Sequence, residues 1–197
     1  MGKRIFDVTL TLLSLPVVVV VVAVMAAVLA CELRGNPFFV QQRVGLRGKP
    51  FRMLKLRTMR HANAGEEPDR TVDDWDTFVF APAGQPDPRV TRWGAFARSK
   101  SIDELPNLWN VLKGEMSIVG PRPEIPEIVL QYPERYHRRH DVLPGIAGLA
   151  QLNGRSDLTY DEIATYDLEY VAQHSMLTDL QILWRTAGIV LRGSGAR

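Results

Sequence analysis

The chain has 197 residues, a formal net charge of +2 and an isoelectric point near 8.8. That length suits one domain with its own core, and the charge is too mild to argue for a nucleic-acid partner. A lone Cys31 excludes an internal disulfide framework, no Cys/His cluster has zinc spacing, and Gly45-Leu46-Arg47-Gly48-Lys49 lacks the spacing of a Walker phosphate loop.

Between Asp7 and Glu32 lie 24 uncharged residues, including the valine run Val17 to Val22. About 20 apolar residues cover the ~30 Å hydrocarbon core of a bilayer, and in lipid the backbone is forced into a helix. A plain spanning helix is one reading. Pro16 argues for another, because its ring clashes with the preceding turn and bends the helix near Leu12 to Leu15. The resulting arms of about 8 and 15 residues are ~12 and ~22 Å long, each too short to cross. Basic residues flank both ends, Lys3 and Arg4 before and Arg34, Arg43, Arg47, Lys49 and Arg52 after, which favours two cytoplasmic ends. The segment ending Val28-Leu29-Ala30-Cys31 also looks like a lipoprotein export signal, but the dense basic residues beyond it count against export.

Phe38 to Arg43 and Lys49 to Thr58 flank a glycine-containing turn and predict a β-hairpin. Lys55 and Arg57 on it are either solvated strand positions or ligands. From His61 to Pro88 the chain is acidic and aperiodic, a surface loop with one short helix around Val72 to Phe78. Asp73-Asp74 within it reads as solvated rather than as a metal pair.

Arg98 to Pro123, RSKSIDELPNLWNVLKGEMSIVGPRP, is the stretch with the most chemistry. Leu105, Leu108, Trp109 and Leu112 recur at the spacing of one buried helical stripe, and Gly114 after Lys113 predicts a glycine C-cap. Ser101 with Glu104 reads as a capping box, but Pro106 would then leave the Ile102 carbonyl without its donor. Asp103 as N-cap avoids that loss and is the favoured start. Asp103 and Glu104 at a helix start, with Arg98 and Lys100 upstream and Arg122 returning after the helix, suit a metal-bound phosphate. Carboxylates take the divalent cation and guanidinium forks take phosphate oxygens.

Tyr132 to His140, YPERYHRRH, reads as an amphipathic basic surface facing anionic lipid; His137 and His140 lack a third metal ligand. Leu143 to Arg155 is a Gly/Pro-punctuated loop carrying Gln151, Asn153 and Arg155. Asp157 to Val171 and Met176 to Arg192 read as helices. The second places Leu177, Leu180, Leu183, Trp184, Ala187 and Leu191 on one side, fit for a membrane interface or a core.

SIDELPNLWNVLKGEMSIVGPRP, preceded by RVTRWGAFAR and followed by LPGIAGLAQLNGR, resembles the polyprenyl-phosphate phosphoglycosyl transferases, the bacterial initiating sugar-phosphate transferases, in their small single-domain form. The likeness runs from Lys3-Arg4-Ile5-Phe6-Asp7 almost to the C-terminus. It implies an α+β, predominantly helical fold: a re-entrant membrane helix over 1–35, then a cytoplasmic catalytic domain over 36–197 with a small β-hairpin and amphipathic interfacial helices. In the family the re-entrant helix breaks at a Ser-Pro pair; here Leu15 separates Ser14 from Pro16. The implied reaction transfers a sugar-1-phosphate from a UDP-sugar to polyprenyl (undecaprenyl) phosphate, releasing UMP, at the cytoplasmic face of the bacterial inner membrane. By the resemblance Asp103 is the nucleophile, forming an aspartyl-phosphosugar, and Glu104 holds Mg2+, with Mn2+ as substitute and Asp103 beside it at the metal. Lys55, on a hairpin that the Phe39 to Gly45 and Lys55 to Met59 signatures place beside the site, joins Arg98, Arg122 and Arg155 in gripping phosphates or nucleotide. The partners are then the donor, the lipid acceptor and membrane lipid, with a homodimer left open. A membrane-anchored scaffold without activity and a UDP-releasing glycosyltransferase are the rival readings.

Overall fold

The structure is a computed structural model that describes residues 2–63, 70–79, 87–154 and 158–192, with the side chains of 191 and 192 outside the description. Arg155 and Asp157 of the sequence analysis lie outside the described residues.

Helix α1 runs from Gly2 to Leu33, about 48 Å at 1.5 Å per residue. It is the one helix among the described residues long and apolar enough to cross a membrane. Pro16 lies inside it on an exposed position and does not interrupt it, so the two separate arms expected from the sequence form a single element. A proline can bend a helix without ending it. One face of α1 is buried, through Asp7, Thr11, Met25, Ala26 and Leu29, while Leu12, Leu13, Val17, Val19, Val20 and Val24 are exposed.

Both ends of α1 rest on the rest of the chain. Near its start, Lys3 pairs with Asp179 at 2.5 Å, and Asp7 accepts from Ser117 Oγ at 2.8 Å and from the Ile118 N–H at 3.2 Å. Arg4 donates to the carbonyls of Val111 and Leu112, the open carbonyl end of a helix, where a cation is favoured. Near its end, Met25, Ala26 and Leu29 pack with Leu56 and Ala97, and Glu32 accepts from the Trp93 N–H at 3.3 Å.

The hairpin expected around the glycine-containing turn forms: β1 (Phe38–Val44) pairs antiparallel with β2 (Pro50–Leu56), turning through Leu46–Gly48. The described part of the following loop, 70–79, holds a turn at Trp75–Thr77 in place of the expected short helix. It is not wholly solvated, because Val72, Trp75 and Phe78 pack against buried tyrosines. The Asp74 carboxylate accepts locally from the Asp76 N–H and the Thr77 hydroxyl, a turn role rather than a metal role.

Helix α2 (Arg92–Ser99) starts at Thr91, whose hydroxyl accepts from the Gly94 N–H. A 3-10 helix (Ile102–Asn107) and α3 (Leu108–Lys113) follow, the latter ending at the expected Gly114, φ 81°. Two short strands the sequence did not announce, β3 (Ser117–Val119) and β4 (Gly145–Ala147), pair in parallel. Between them lie α4 (Pro126–Val129) and a 3-10 helix (Glu134–Asp141). Then come α5 (Leu149–Asn153), where a loop was expected, α6 (Tyr160–Gln173), entered through a Thr159/Glu162 capping box, and α7 (Met176–Arg192). The main core gathers Phe51, Met53, Val111, Met116, Val119 and Ile182, and fixes the hairpin to α3, β3 and α7.

The structure decides which side of three stretches faces inward. In 102–113 the buried residues are Asp103, Pro106, Asn107, Asn110 and Val111, whereas Trp109 is 59 % exposed. The inward face is mixed: Leu108 of the expected stripe packs on the core with Val111, and polar Asp103, Asn107 and Asn110 turn inward beside them. In α7, Asp179 and Ile182 are buried and Leu183 packs on the core, while Leu177, Leu180 and Trp184 point outward. The stretch Tyr132 to His140 is two-sided, as its pattern predicts: Tyr132, Tyr136, Arg139 and His140 are buried, while Glu134, Arg135, His137 and Arg138 are exposed. Among the described residues, only Arg139 of its charges is paired inside the protein, with Asp167; Arg135 pairs with Asp161 at the surface.

Candidate active site

The segment that carries Asp103 and Glu104 is tighter than expected. Ser101 stands at φ 55°, in the left-handed region, and offers no side-chain cap, so neither the capping box nor the Asp103 N-cap forms. The chain instead enters a 3-10 turn, with the Glu104 N–H on the Ser101 carbonyl at 3.3 Å. Asp103 therefore points into the protein rather than back over a helix end.

Glu104 is held on one oxygen by two cations. Lys55 Nζ donates to Oε1 at 3.0 Å from β2, and Arg122 Nη2 donates to the same oxygen at 2.6 Å from beyond β3. Burial alone would push this carboxyl up, but Arg122 and Lys55 override it and hold it well below the usual carboxylate range. Burial also pushes the Lys55 ammonium down, with Arg122 adding to the fall and Glu104 opposing it. Arg122 gains from Glu104 first, which pushes its guanidinium higher still.

Asp103 has the opposite environment. It is 9 % exposed, and among the described residues no hydrogen bond reaches its carboxylate. Burial, and then the neighbouring Glu104 anion, push its carboxyl up, against the pull of Lys55, Arg98 and Arg122. The cations of this site spend their hydrogen bonds on Glu104 and on Thr58.

Arg98 is positioned from α2. Its Nε donates to Thr58 Oγ1 at 2.9 Å, and the Thr58 carbonyl accepts from the Thr91 N–H at 3.0 Å at the start of that helix. Arg43, which the sequence analysis left among the basic flank, lies at the wall of the site. It pairs with Glu124 at 3.1 Å and donates to the Pro123 carbonyl at 3.0 Å. Lys55, Arg98, Asp103, Glu104 and Arg122 are thus brought together from four elements, whereas Gln151 and Asn153 are spent on the carbonyls of Ile146 and Leu149. Asn110 is the other side chain that the sequence analysis missed. It bonds the Leu54 N–H, the Arg52 carbonyl and Glu115, and so pins β2, with Lys55, against α3.

Two carboxylates beside three cations can bind a phosphate-bearing molecule, and α2, which carries Arg98, and α3, which follows the turn of Asp103 and Glu104, also expose the aromatic residues Trp93, Phe96 and Trp109. Among the described residues no three His, Cys, Asp or Glu side chains cluster as a closed metal cage. Asp103, with no hydrogen-bond donor of its own, and the remaining oxygen of Glu104 fit a hard cation that keeps water and substrate phosphate as its other ligands.

The family described as bacterial sugar transferase matches residues 1–193. The chain is 38 % identical to the sugar transferase EpsL of Bacillus subtilis over 98 % of its own length and 89 % of that protein. It is 37 % identical to the undecaprenyl-phosphate glucose phosphotransferase of Komagataeibacter xylinus, covering 93 % of this chain and 35 % of the relative. It is also 37 % identical to the undecaprenyl-phosphate galactose phosphotransferase of Salmonella typhimurium, over 82 % of this chain and 35 % of that relative.

Proposed function

Since the chain belongs to the bacterial sugar transferase family, we propose that it moves a sugar-1-phosphate from a UDP-sugar to undecaprenyl phosphate and releases UMP. The acceptor is taken from the names of the Komagataeibacter and Salmonella relatives. The observation that carries the reading is the convergence of buried Asp103 with Lys55, Arg98 and Arg122 beside an exposed apolar helix.

In the proposed chemistry an Asp103 oxygen attacks the phosphorus next to the sugar, that phosphorus–oxygen bridge breaks, and UMP leaves with the bond's electrons. The aspartyl-phosphosugar then yields to attack by a polyprenyl phosphate oxygen, which forms the lipid diphosphate-sugar and frees Asp103. Covalent catalysis divides one displacement into two, with ping-pong kinetics as its mark. Lys55, Arg98 and Arg122 withdraw charge from the phosphoryl oxygens in a partly desolvated site. Asp103 and Glu104 would hold Mg2+ or Mn2+, which supplies further charge neutralisation at the phosphates.

The membrane placement in this proposal rests on α1. Lys3, Arg4 and Asp7 at one end and Leu29 and Glu32 at the other contact the same body of the protein, while the apolar middle is exposed. A helix so held keeps both ends on one side, which supports a re-entrant or in-plane segment on the cytoplasmic face of the inner membrane. The site then lies where the lipid phosphate is presented. Product analysis tests the whole reading: UMP with a lipid-linked phosphosugar is expected, whereas UDP, or no product, overturns it.

A further inference from the structure

Arg122 lies between two prolines, so this stretch has few backbone donors of its own and is held through its carbonyls. Each of four consecutive carbonyls has a different donor. Pro121 accepts from the Gly145 N–H at 2.8 Å, Arg122 from Arg139 Nη2 at 3.0 Å, Pro123 from Arg43 Nη1 at 3.0 Å, and Glu124 from the Val44 N–H at 2.8 Å. Two of these donors are strand backbone, and Arg43 also pairs with Glu124 at the surface of the site. Arg139 is different in kind.

Arg139 is 3 % exposed, and both its terminal nitrogens are shared between acceptors. Nη1 donates to the hydroxyls of Tyr132 and Tyr160 at 2.5 Å each, and Nη2 donates to Asp167 as well as to the Arg122 carbonyl. A buried ion pair is commonly no more stabilising than a packed apolar pair of similar volume. Stability alone therefore does not account for a guanidinium here. A flat fork with several fixed donors can bind a carboxylate, two hydroxyls and a carbonyl at once, which a point charge cannot.

We propose that Arg139, seated on Asp167, is a positioning residue for Arg122. Pro123 already confines Arg122 to extended backbone. Holding its carbonyl then fixes the direction in which its side chain leaves the chain, toward Glu104 at 2.6 Å. The inference rests on Arg122 as a phosphate-binding group in the proposed function. A displacement of about 1 Å at such a group is worth up to roughly a hundredfold in rate.

Two variants separate positioning from scaffolding. Arg139→Lys keeps a cation for Asp167 but replaces the two-nitrogen fork by a single ammonium on a different stem, so the Arg122 carbonyl and the tyrosine hydroxyls are no longer held in one fixed plane. The pair Arg139→Met with Asp167→Leu removes the donor and the buried charges together. Both are expected to unfold near the wild-type temperature, yet to lower turnover at saturating donor about tenfold, and to lower it little further in an Arg122→Lys background. Wild-type turnover in either folded variant, or losses that multiply fully with Arg122→Lys, overturns the proposal. Should the wild type release no UMP, the function fails, but the positioning claim is still read by nuclear magnetic resonance of arginine labelled at Nε. The Arg122 signal, identified by its loss in Arg122→Lys, is expected to shift in Arg139→Lys, and an unmoved signal overturns the inference.

Discussion

Arg122 Nη2 donates to Oε1 of Glu104 at 2.6 Å, and that contact sets Glu104 apart from the carboxylate beside it. Glu104 is neutralised by side chains and kept ionised, whereas Asp103 is buried with no donor among the described residues and is pushed toward its protonated form. Two neighbouring acids with divergent environments take different roles in a reaction. In the proposed reaction this difference suits Asp103 to attack at phosphorus and Glu104 to organise the cations around it.

Asp103→Asn is predicted to abolish UMP release, because an amide is neither a nucleophile at phosphorus nor an anion. Neither Glu104 nor Arg122 bonds through Asp103, so the variant is expected to fold. Assays of UMP release with donor alone and with donor plus acceptor check the prediction. An Asp103→Ala protein with a tenth or more of wild-type turnover removes Asp103 from the role.

Glu104→Gln is predicted to cost both activity and stability. Lys55 and Arg122 would face each other across a neutral amide, and Lys55 is 13 % exposed. The loss of stability is expected at about 1–3 kcal/mol, below that of a fully buried pair because Arg122 is 43 % exposed. Activity is expected to vanish in excess chelator and to return with Mg2+ or Mn2+ but not with Zn2+, as hard oxygen ligands require. Full wild-type activity in chelator removes the cation from the reaction.

His140 is predicted to make stability fall with acid. Burial first, then Arg139 and His137, push its imidazole down to about 4, from an ordinary value of 6.5. Between those two values the unfolded chain takes up a proton that the folded chain refuses, so stability declines as pH falls from about 6.5 to about 4. The slope is at most about 1.4 kcal/mol per pH unit. Denaturant midpoints of wild type and His140→Gln, measured across that window, should converge toward acid. Parallel curves would refute the assignment, since every other titrating group is common to both proteins.

Residue 2 is predicted to share a side of the membrane with the catalytic site, because Lys3 and Glu32 both contact the same body. With Cys31 replaced by Ser and a cysteine placed at Gly2, an impermeant thiol reagent should label the protein after lysis and not in intact cells. Labelling from outside establishes a spanning helix. Pro16→Leu is the companion variant: a helix that remains protected without its proline points to the flanking charges and the end contacts as the determinants.

Much of the site could be read from residue types alone. A carboxylate pair near a run of arginines, a lysine on a hairpin and a 24-residue uncharged segment are local features, and each keeps its chemistry wherever the chain folds. The Gly114 cap and the existence of the hairpin were legible for the same reason, since turn geometry is imposed by the few residues in the turn.

The inward faces were not legible, and the physical reason is the second solvent. Apolar periodicity locates a core when water is the only surrounding, but beside a membrane the apolar side can face lipid and the polar side can face the site. Trp109, Leu177 and Trp184 are outward, while Asp103, Asn107 and Asn110 are inward. Nor does composition distinguish a solvated basic stretch from a buried one. Arg139 is inside because Asp167, 28 positions away, and two tyrosine hydroxyls meet it there. Sequence alone determined which groups were available for phosphate chemistry. The tertiary structure decided which carboxylate the cations neutralise and which arginine holds another in place, because long-range pairing depends on distances that no local pattern encodes.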